Sequence, residues 1–416
     1  MKKTIARIVL ASLLILMVVL SGCTTGAPKD DAGTNAGTST SSGNEAAKTS
    51  AAKPVKIGLE IPLTGRVASQ GQMMKVAMDI AVAKVNKDGG INGSPVELVV
   101  SDDQMDPKQT VTEYRKLLNE DVVAVLGPMG SGNFQIVSSI ANQQKVPTIN
   151  PNGIKVGIAK LPWAMRTMPT DGDMIPGGVA DLKKYNPNIK KAVILYDAKE
   201  PAMSSALPLY RAAAKAQGIQ IAGEVSYQTG ITDFSPAISK VKSYNSDAIF
   251  VAMMEAESVL ASKEMERQGI NVPVLSTMST WAGAFVTSSG TSGKNWYTIG
   301  NFSNEPDPAN QEAVDFANEF LENSKSNSTL KQPANISTSA NVYDCFMIIV
   351  DVLRKANVNG DTALEEAREK LRQGIMQVKD YNGLTGKFTM KENGEGGVKT
   401  RVFKLDVDKQ IWAELK

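Results

Sequence analysis

Short apolar runs alternate along most of this chain with longer stretches whose apolar positions recur every three or four residues. Val55–Leu63 has the first pattern and reads as a strand. Gln70–Lys87 has the second, with Met74, Ala77, Met78, Ala81 and Val85 on one helical face. Gly89-Gly90 stops that helix. Val96–Val100, Val122–Leu126 and Val146–Asn150 then read as strands, separated by helices at Pro107–Asn119 and Ser131–Gln144. The rhythm restarts further on. Lys191–Tyr196, Ile219–Val225, Ala248–Ala252 and Val272–Leu275 read as strands, and Met203–Gln217, Phe234–Tyr244 and Ser258–Gln268 as helices. Strands alternating with helices predict a parallel sheet covered on both faces. Two such runs in one chain predict an α/β protein of two similar lobes.

The last hundred residues do not repeat the rhythm. Gln311–Leu321 and Asn341–Lys355 read as helices, and Gly383–Met390 and Thr400–Val407 as strands. These elements are too few for a core of their own, so they are expected to complete the two lobes.

The N-terminus has a different pattern. Lys2, Lys3 and Arg7 precede an apolar run from Ile8 to Leu20 broken only by Ser12. The run is shorter than the roughly 20 residues a spanning helix needs, and the layout is that of a signal peptide covering residues 1–22. It ends in Leu20-Ser21-Gly22-Cys23, which resembles the bacterial lipobox. That resemblance implies cleavage before Cys23 and acylation of its sulfur. An ordinary secretory signal with a chance cysteine is the alternative. Residues 23–53 are rich in Ser, Thr, Gly, Ala and Asn, and such a stretch buries too little to offset its ordering entropy. It is expected to be a flexible tether that holds the folded part near a membrane.

Composition narrows the functional classes. Formal net charge is +2, and removal of residues 1–22 turns it to −1, which gives no reason to expect nucleic-acid binding. The chain contains no histidine and two cysteines. Histidine-based triads, zinc sites and general bases are therefore excluded. With Cys23 acylated, Cys345 has no disulfide partner within the chain. No phosphate loop, dinucleotide fingerprint, nucleophile elbow or metal-spaced cluster appears. Asp102-Asp103 reads as turn and cap residues rather than as a catalytic carboxylate pair, because neighbours at a strand end point to opposite faces and no partner nucleophile is evident. No cofactor is expected, and the chain is not expected to be an enzyme.

Binding is the remaining chemistry. Ligands of open parallel sheets sit beyond the carboxyl ends of the strands. Three glycine-rich polar loops belong there: Pro62–Gly71, Gly127–Asn133 and Asn150–Ile154. Free N–H groups at a helix start favour an anion, and Ser131 adds a hydroxyl. Taken singly, these residues read as caps and tight turns, and Ser131 alone is better explained that way. Stacked at one sheet edge, they predict a small-ligand cleft that takes in Gln70, Met129, Ser131, Gly132, Asn133, Asn152, Gly153 and Ile154. Facing loops of the second lobe, Tyr196–Met203, Met253–Glu257 and Thr277–Trp281, bring Glu200, Met254 and Trp281, the last either as an aromatic wall or, equally, as core or surface packing.

At these residues the chain resembles the type I periplasmic binding proteins that serve branched-chain amino-acid ABC transporters. The markers are Pro62-Leu63-Thr64-Gly65 with Gly71, Asn86-Lys87-Asp88-Gly89-Gly90-Ile91-Asn92-Gly93, Asp102-Asp103 with Asp106-Pro107, Gly127-Pro128 with Ser131, and Thr232-Asp233-Phe234-Ser235. The resemblance implies two Rossmann-like lobes joined by a three-crossover hinge, with crossings near Thr170, Gly300 and Leu384. Lobe 1 is then 54–170 plus 301–384, and lobe 2 is 171–300 plus 385–416. It further implies a cleft that closes on an amino acid or related small carboxylate, and permease subunits as partners. Ser131 matches a hydroxyl that holds the ligand carboxylate. Ile154, Pro201 and Met278 fall where the family usually has a Thr, a Tyr and an acid. Those departures keep an aromatic acid, or another carboxylate without an amine, open as the ligand. A sensory lipoprotein on the same fold is the other open reading.

Overall fold

The computed structural model describes residues 52–281, 283–303, 305–326, 330 and 336–415. The signal peptide, Cys23 and the tether lie outside the described residues.

The first lobe is built from β1 (Val55–Ile61), α1 (Ala68–Lys87), β2 (Val96–Asp102), α2 (Pro107–Leu118), β3 (Ala124–Leu126), α3 (Ser131–Gln144), β4 (Thr148–Asn150) and β5 (Ala164–Arg166). Its five strands form a parallel sheet in the order β2-β1-β3-β4-β5. Ile57, Leu59, Val125 and Leu126 are fully buried at its centre, as parallel strands covered on both faces require. Asp106 starts α2 by accepting from the backbone N–H of Lys108 and Gln109, each at 2.9 Å.

The chain then enters the second lobe through α4 (Asp171–Tyr185), opened by a capping box between Thr170 and Asp173. There follow β6 (Lys191–Asp197), α5 (Pro201–Ala216), β7 (Gln220–Tyr227), α6 (Ser235–Ser243), β8 (Ala248–Ala252), α7 (Glu255–Arg267), β9 (Val274–Ser276), α8 (Gly283–Ser288) and β10 (Trp296–Gly300). After β10 the chain returns to the first lobe. There α9 (Gln311–Ser326) and α10 (Ile336–Lys355) pack against α1, and α11 (Leu364–Ile375) packs on α10. A small antiparallel sheet of β11 (Tyr381–Gly383), β12 (Gly386–Met390) and β13 (Gly396–Gly397) leads back to the second lobe. Its sheet is completed by β14 (Arg401–Asp406) and β15 (Ile411–Glu414) in the order β15-β14-β10-β9-β8-β6-β7. The chain thus passes between the two sheets three times.

Two helices show how composition bends to packing. α4 contains Pro176 and Gly178. A methyl at Gly178 would collide with Ile299 of β10, so glycine lets this helix lie close on the sheet. α10 is long and apolar enough to cross a membrane, but sixteen of its twenty residues are buried in the first lobe. It is a core helix. Its Asp344 accepts from the backbone N–H of Leu384 at 2.8 Å and of Thr385 at 2.9 Å, and from the Thr385 hydroxyl at 2.6 Å. Burial outweighs those bonds and pushes the Asp344 carboxyl up to about 6.

Candidate functional site

The carboxyl ends of β1, β3 and β4 face those of β6, β8 and β9 across a narrow cavity of about 50 Å³. From the first lobe it is lined by Gln70, Met105, Met129, Gly130, Ser131, Asn152, Ile154 and Thr338. From the second come Glu200, Ala202, Met203, Met254, Met278 and Ser279.

The first-lobe wall is held by side chain to backbone bonds. Asn150, fully buried at the end of β4, donates to the carbonyls of Pro128 and Met129 and accepts from the N–H of Asn152 and Gly153. One side chain thereby ties the second and third loops together. Ser131 is the first residue of α3. Its hydroxyl oxygen accepts from the Lys155 N–H at 3.2 Å, which leaves the hydroxyl proton for a ligand. Gly130 precedes it and supplies no side-chain cap. The α3 terminus therefore presents its N–H groups and the positive end of its dipole toward the cavity. Asn152 donates to the Thr338 carbonyl at 3.3 Å and accepts from Asn341 at 3.4 Å, fixing it to α10.

The second-lobe wall is softer and more acidic. Met203, Met254 and Met278 supply flexible thioether surface. Glu200 caps α5 by its backbone position, and its side chain makes no capping bond. Burial pushes the Glu200 carboxyl upward, Arg66 and the nearby Ala202 N–H oppose this, and Asp197 and Glu257 add to it. Glu255 accepts from the Ser69 hydroxyl and the Gln70 amide, both at 3.4 Å across the cleft.

Of the residues expected from sequence, Gln70, Met129, Ser131, Asn152, Ile154, Glu200 and Met254 meet at this cavity. Gly132 sits at its rim, where an added Cβ would lie 3.2 Å from Pro201. Asn133 points into the lobe instead, donating to Thr110 at 2.7 Å and to Asp103 at 3.3 Å. Gly153 lies behind the wall, its carbonyl accepting from buried Arg166 at 2.7 Å. Trp281 does not wall the cavity. It is fully buried, with ring centroids 4.3 Å from Phe403 and 5.9 Å from Trp412. A side chain that large buries most area under the sheet, and the C-terminal strands bring the aromatic partners that put it there. Met105, Gly130, Thr338, Ala202, Met203, Met278 and Ser279 also line the cavity without having been singled out. Gly130, Ala202, Met203, Met278 and Ser279 fall in loops expected at the cleft, and Met278 is also the position where the resembled family has an acid; Met105 and Thr338 carried no signal.

Among the described residues no group of three Asp, Glu or Cys side chains is placed to hold a metal ion. The arrangement offers an anion-binding helix start, an apolar wall and one carboxylate, which suits non-covalent capture of a small molecule.

A family model described as periplasmic binding protein matches residues 54–410. The chain belongs to that family. Leu/Ile/Val-binding protein homolog 3 of Brucella melitensis is 29% identical over 223 residues, 53% of this chain and 60% of that protein. The leucine-, isoleucine-, valine-, threonine-, and alanine-binding protein of Pseudomonas aeruginosa is 28% identical over 224 residues, 53% of this chain and 59% of that protein. The matched stretch thus spans about six tenths of the length of these curated relatives. Among solved structures, LivJ of Streptococcus pneumoniae in complex with isoleucine has a TM-score of 0.75 at 23% identity, covering 88% of this chain and 100% of that one. A solute-binding protein from an ABC transporter of R. palustris, in complex with 4-hydroxybenzoate, has a TM-score of 0.76 at 19% identity, covering 87% and 96%. These likenesses give the fold, that of the type I periplasmic binding proteins. The family is one of binding proteins.

Proposed function

We propose that this chain is an extracytoplasmic substrate-binding lipoprotein of an ABC importer. It binds an amino acid of branched-chain type, or a related small carboxylate, between its lobes and delivers it to permease subunits. A lipid on Cys23 anchors it, and residues 23–53 tether the two lobes to the membrane. Residues 54–170 with 301–384 act as one closing body, and 171–300 with 385–416 as the other.

The observation that carries the reading is the start of α3 opening into an inter-lobe cavity with Ser131 at its first position. A ligand carboxylate there receives backbone N–H groups and a hydroxyl, with the helix dipole behind them. Glu200 across the cavity supplies the counter-charge for an ammonium group. The methionines accept an aliphatic side chain by van der Waals contact.

A second ligand class is favoured by the same methionines. Thioether sulfur makes favourable contacts with aromatic rings, so an aromatic acid satisfies the Ser131 end and the wall without asking Glu200 to pair with an ammonium. The named ligands of the isoleucine-bound and 4-hydroxybenzoate-bound neighbours mark these two classes.

The test begins with mass spectrometry of any compound released from protein purified without refolding. Calorimetry with that compound, L-isoleucine and 4-hydroxybenzoate follows. Ser131→Ala is expected to weaken binding by about 1.5–3 kcal/mol, the loss of a hydrogen bond to a charged group. Unchanged affinity would remove Ser131 from the carboxylate subsite.

A further inference from the structure

The loop after β1 reaches across the cleft at a point outside the cavity. Arg66 Nη1 lies 3.4 Å from Glu257 Oε1, with the Glu257 side chain 3% exposed and that of Arg66 31%. Neither residue lines the cavity. Glu257 sits in the first turn of α7 and also accepts from the Gly230 N–H at 3.3 Å. Its second oxygen is buried without a hydrogen-bond partner, as is the hydroxyl of neighbouring Tyr227. Asp197 and Glu200 add further negative charge around Tyr227, and the cation acting on the same group is Arg66. A buried acidic patch in the second lobe therefore meets its counter-charge from the first lobe.

We infer that Arg66 and Glu257 form a closure latch, a pair that sets the affinity of the cleft without touching the bound solute. When the lobes part, water replaces the guanidinium and hydrates Glu257. When they close, Glu257 loses that water, and beyond the Gly230 N–H of its own lobe it is Arg66, the cation from across the cleft, that offsets the cost of burying its charge. The pair thus favours the closed arrangement selectively. Apparent affinity scales with the fraction of molecules able to close, so any solute gains by the same factor. The inference depends on the cleft closing and not on which solute it holds.

Gly132 and Pro201 give a reporter that needs no solute. A Cβ built at Gly132 lies 3.8 Å from Pro201 Cβ, the usual spacing across a disulfide of about 3.8 Å. In the full chain carrying Gly132→Cys and Pro201→Cys, the rate at which diamide forms the 132–201 cross-link reads the closed population, and peptide mapping assigns the bond. Cys345 is 1% exposed and does not compete. Arg66→Gln is expected to slow cross-linking about tenfold, within the range of coupling between sites. Arg66→Lys, which keeps the charge, is expected to stay within about twofold of the parent. Glu257→Gln should slow it less than Arg66→Gln, because Arg66 still faces Asp197 and Glu200. An unchanged rate in Arg66→Gln overturns the latch. A rate in Arg66→Lys as slow as in Arg66→Gln overturns its electrostatic basis. Calorimetry of the unsubstituted chain with L-isoleucine is run in parallel. Its failure would bear on the proposed amino-acid ligand and leave the cross-linking result to decide the latch.

Discussion

The two walls of the cleft are built on opposite principles. The first-lobe wall is tied down before any ligand arrives. Asn150 bridges two loops, Ser131 holds Lys155, and Asn152 is fixed to α10. Its recognition groups are neutral N–H and hydroxyl donors at a helix start. The second-lobe wall has three methionines and a carboxylate with no capping bond. For the carboxylate ligand proposed above, a pre-shaped donor surface suits the part that does not vary, because no ordering cost is left to meet on binding. An adaptable surface with one acid suits the part that differs between solutes. The difference implies that the first lobe sets the chemical class and the second selects within it.

The sharpest challenge to this division is Trp281, an aromatic residue of the second lobe close in sequence to the wall residues Met278 and Ser279. It packs among Phe403 and Trp412, with Gly300 beneath its ring. Trp281→Ala should therefore cost about 3–5 kcal/mol of folding stability by leaving a core cavity. Affinity of the molecules that remain folded should be unchanged. Urea unfolding and calorimetry on the same preparation separate the two quantities. A lost affinity at intact stability would return Trp281 to the cleft wall and make that wall rigid.

The next effect in size tests what the acid of the second wall is for. Glu200→Gln should weaken an ammonium-bearing ligand by about 2–3 kcal/mol, the loss of a partly buried charge pair. A carboxylate lacking the amine should bind as well or better. The pH dependence has a defined sign. Burial holds the Glu200 carboxyl above its ordinary range despite Arg66. Below that raised value Glu200 is protonated and cannot pair with an ammonium. Affinity for an amino acid should then rise as pH climbs through the titration, and Glu200→Gln should flatten the rise. A pH-independent affinity for L-isoleucine would detach Glu200 from the ligand.

Much of this architecture was legible in the chain because its signals are local. Strands such as Val55–Ile61 and Lys191–Asp197 announce themselves as short apolar runs, and α1 as a periodic stripe ended by Gly89-Gly90. What escaped was set by distant partners. α4 hid behind Pro176 and Gly178, residues that weaken a helical reading but let the helix lie against Ile299. Thr338 reached the cavity because α10 begins at Ile336, a turn earlier than its apolar stripe suggested. Trp281 went into the core because Phe403 and Trp412, more than a hundred residues later, converge on it. Asn133 reads as a loop donor, yet Asp103 and Thr110 take its amide inward. Local pattern fixes what a residue is able to do, and tertiary partners decide where it does it.

The smallest expected effect distinguishes the stability of a wall from its ability to close. Gly132 is the second residue of α3, with backbone angles any residue can adopt there. Alanine has the higher helix propensity, so Gly132→Ala should stabilise the first lobe by a few tenths of a kcal/mol, below the roughly 1 kcal/mol seen mid-helix. The same methyl would stand 3.2 Å from Pro201 Cγ in the closed arrangement. Closure must then shift the α5 start by a few tenths of an ångström, and affinity should fall by less than about 1 kcal/mol, toward the low end of overpacking costs. The two changes have opposite signs in one substitution. Thermal unfolding without solute reads the first and calorimetry the second. If both moved together, the first wall would not be the independent, pre-shaped surface that its hydrogen bonds describe.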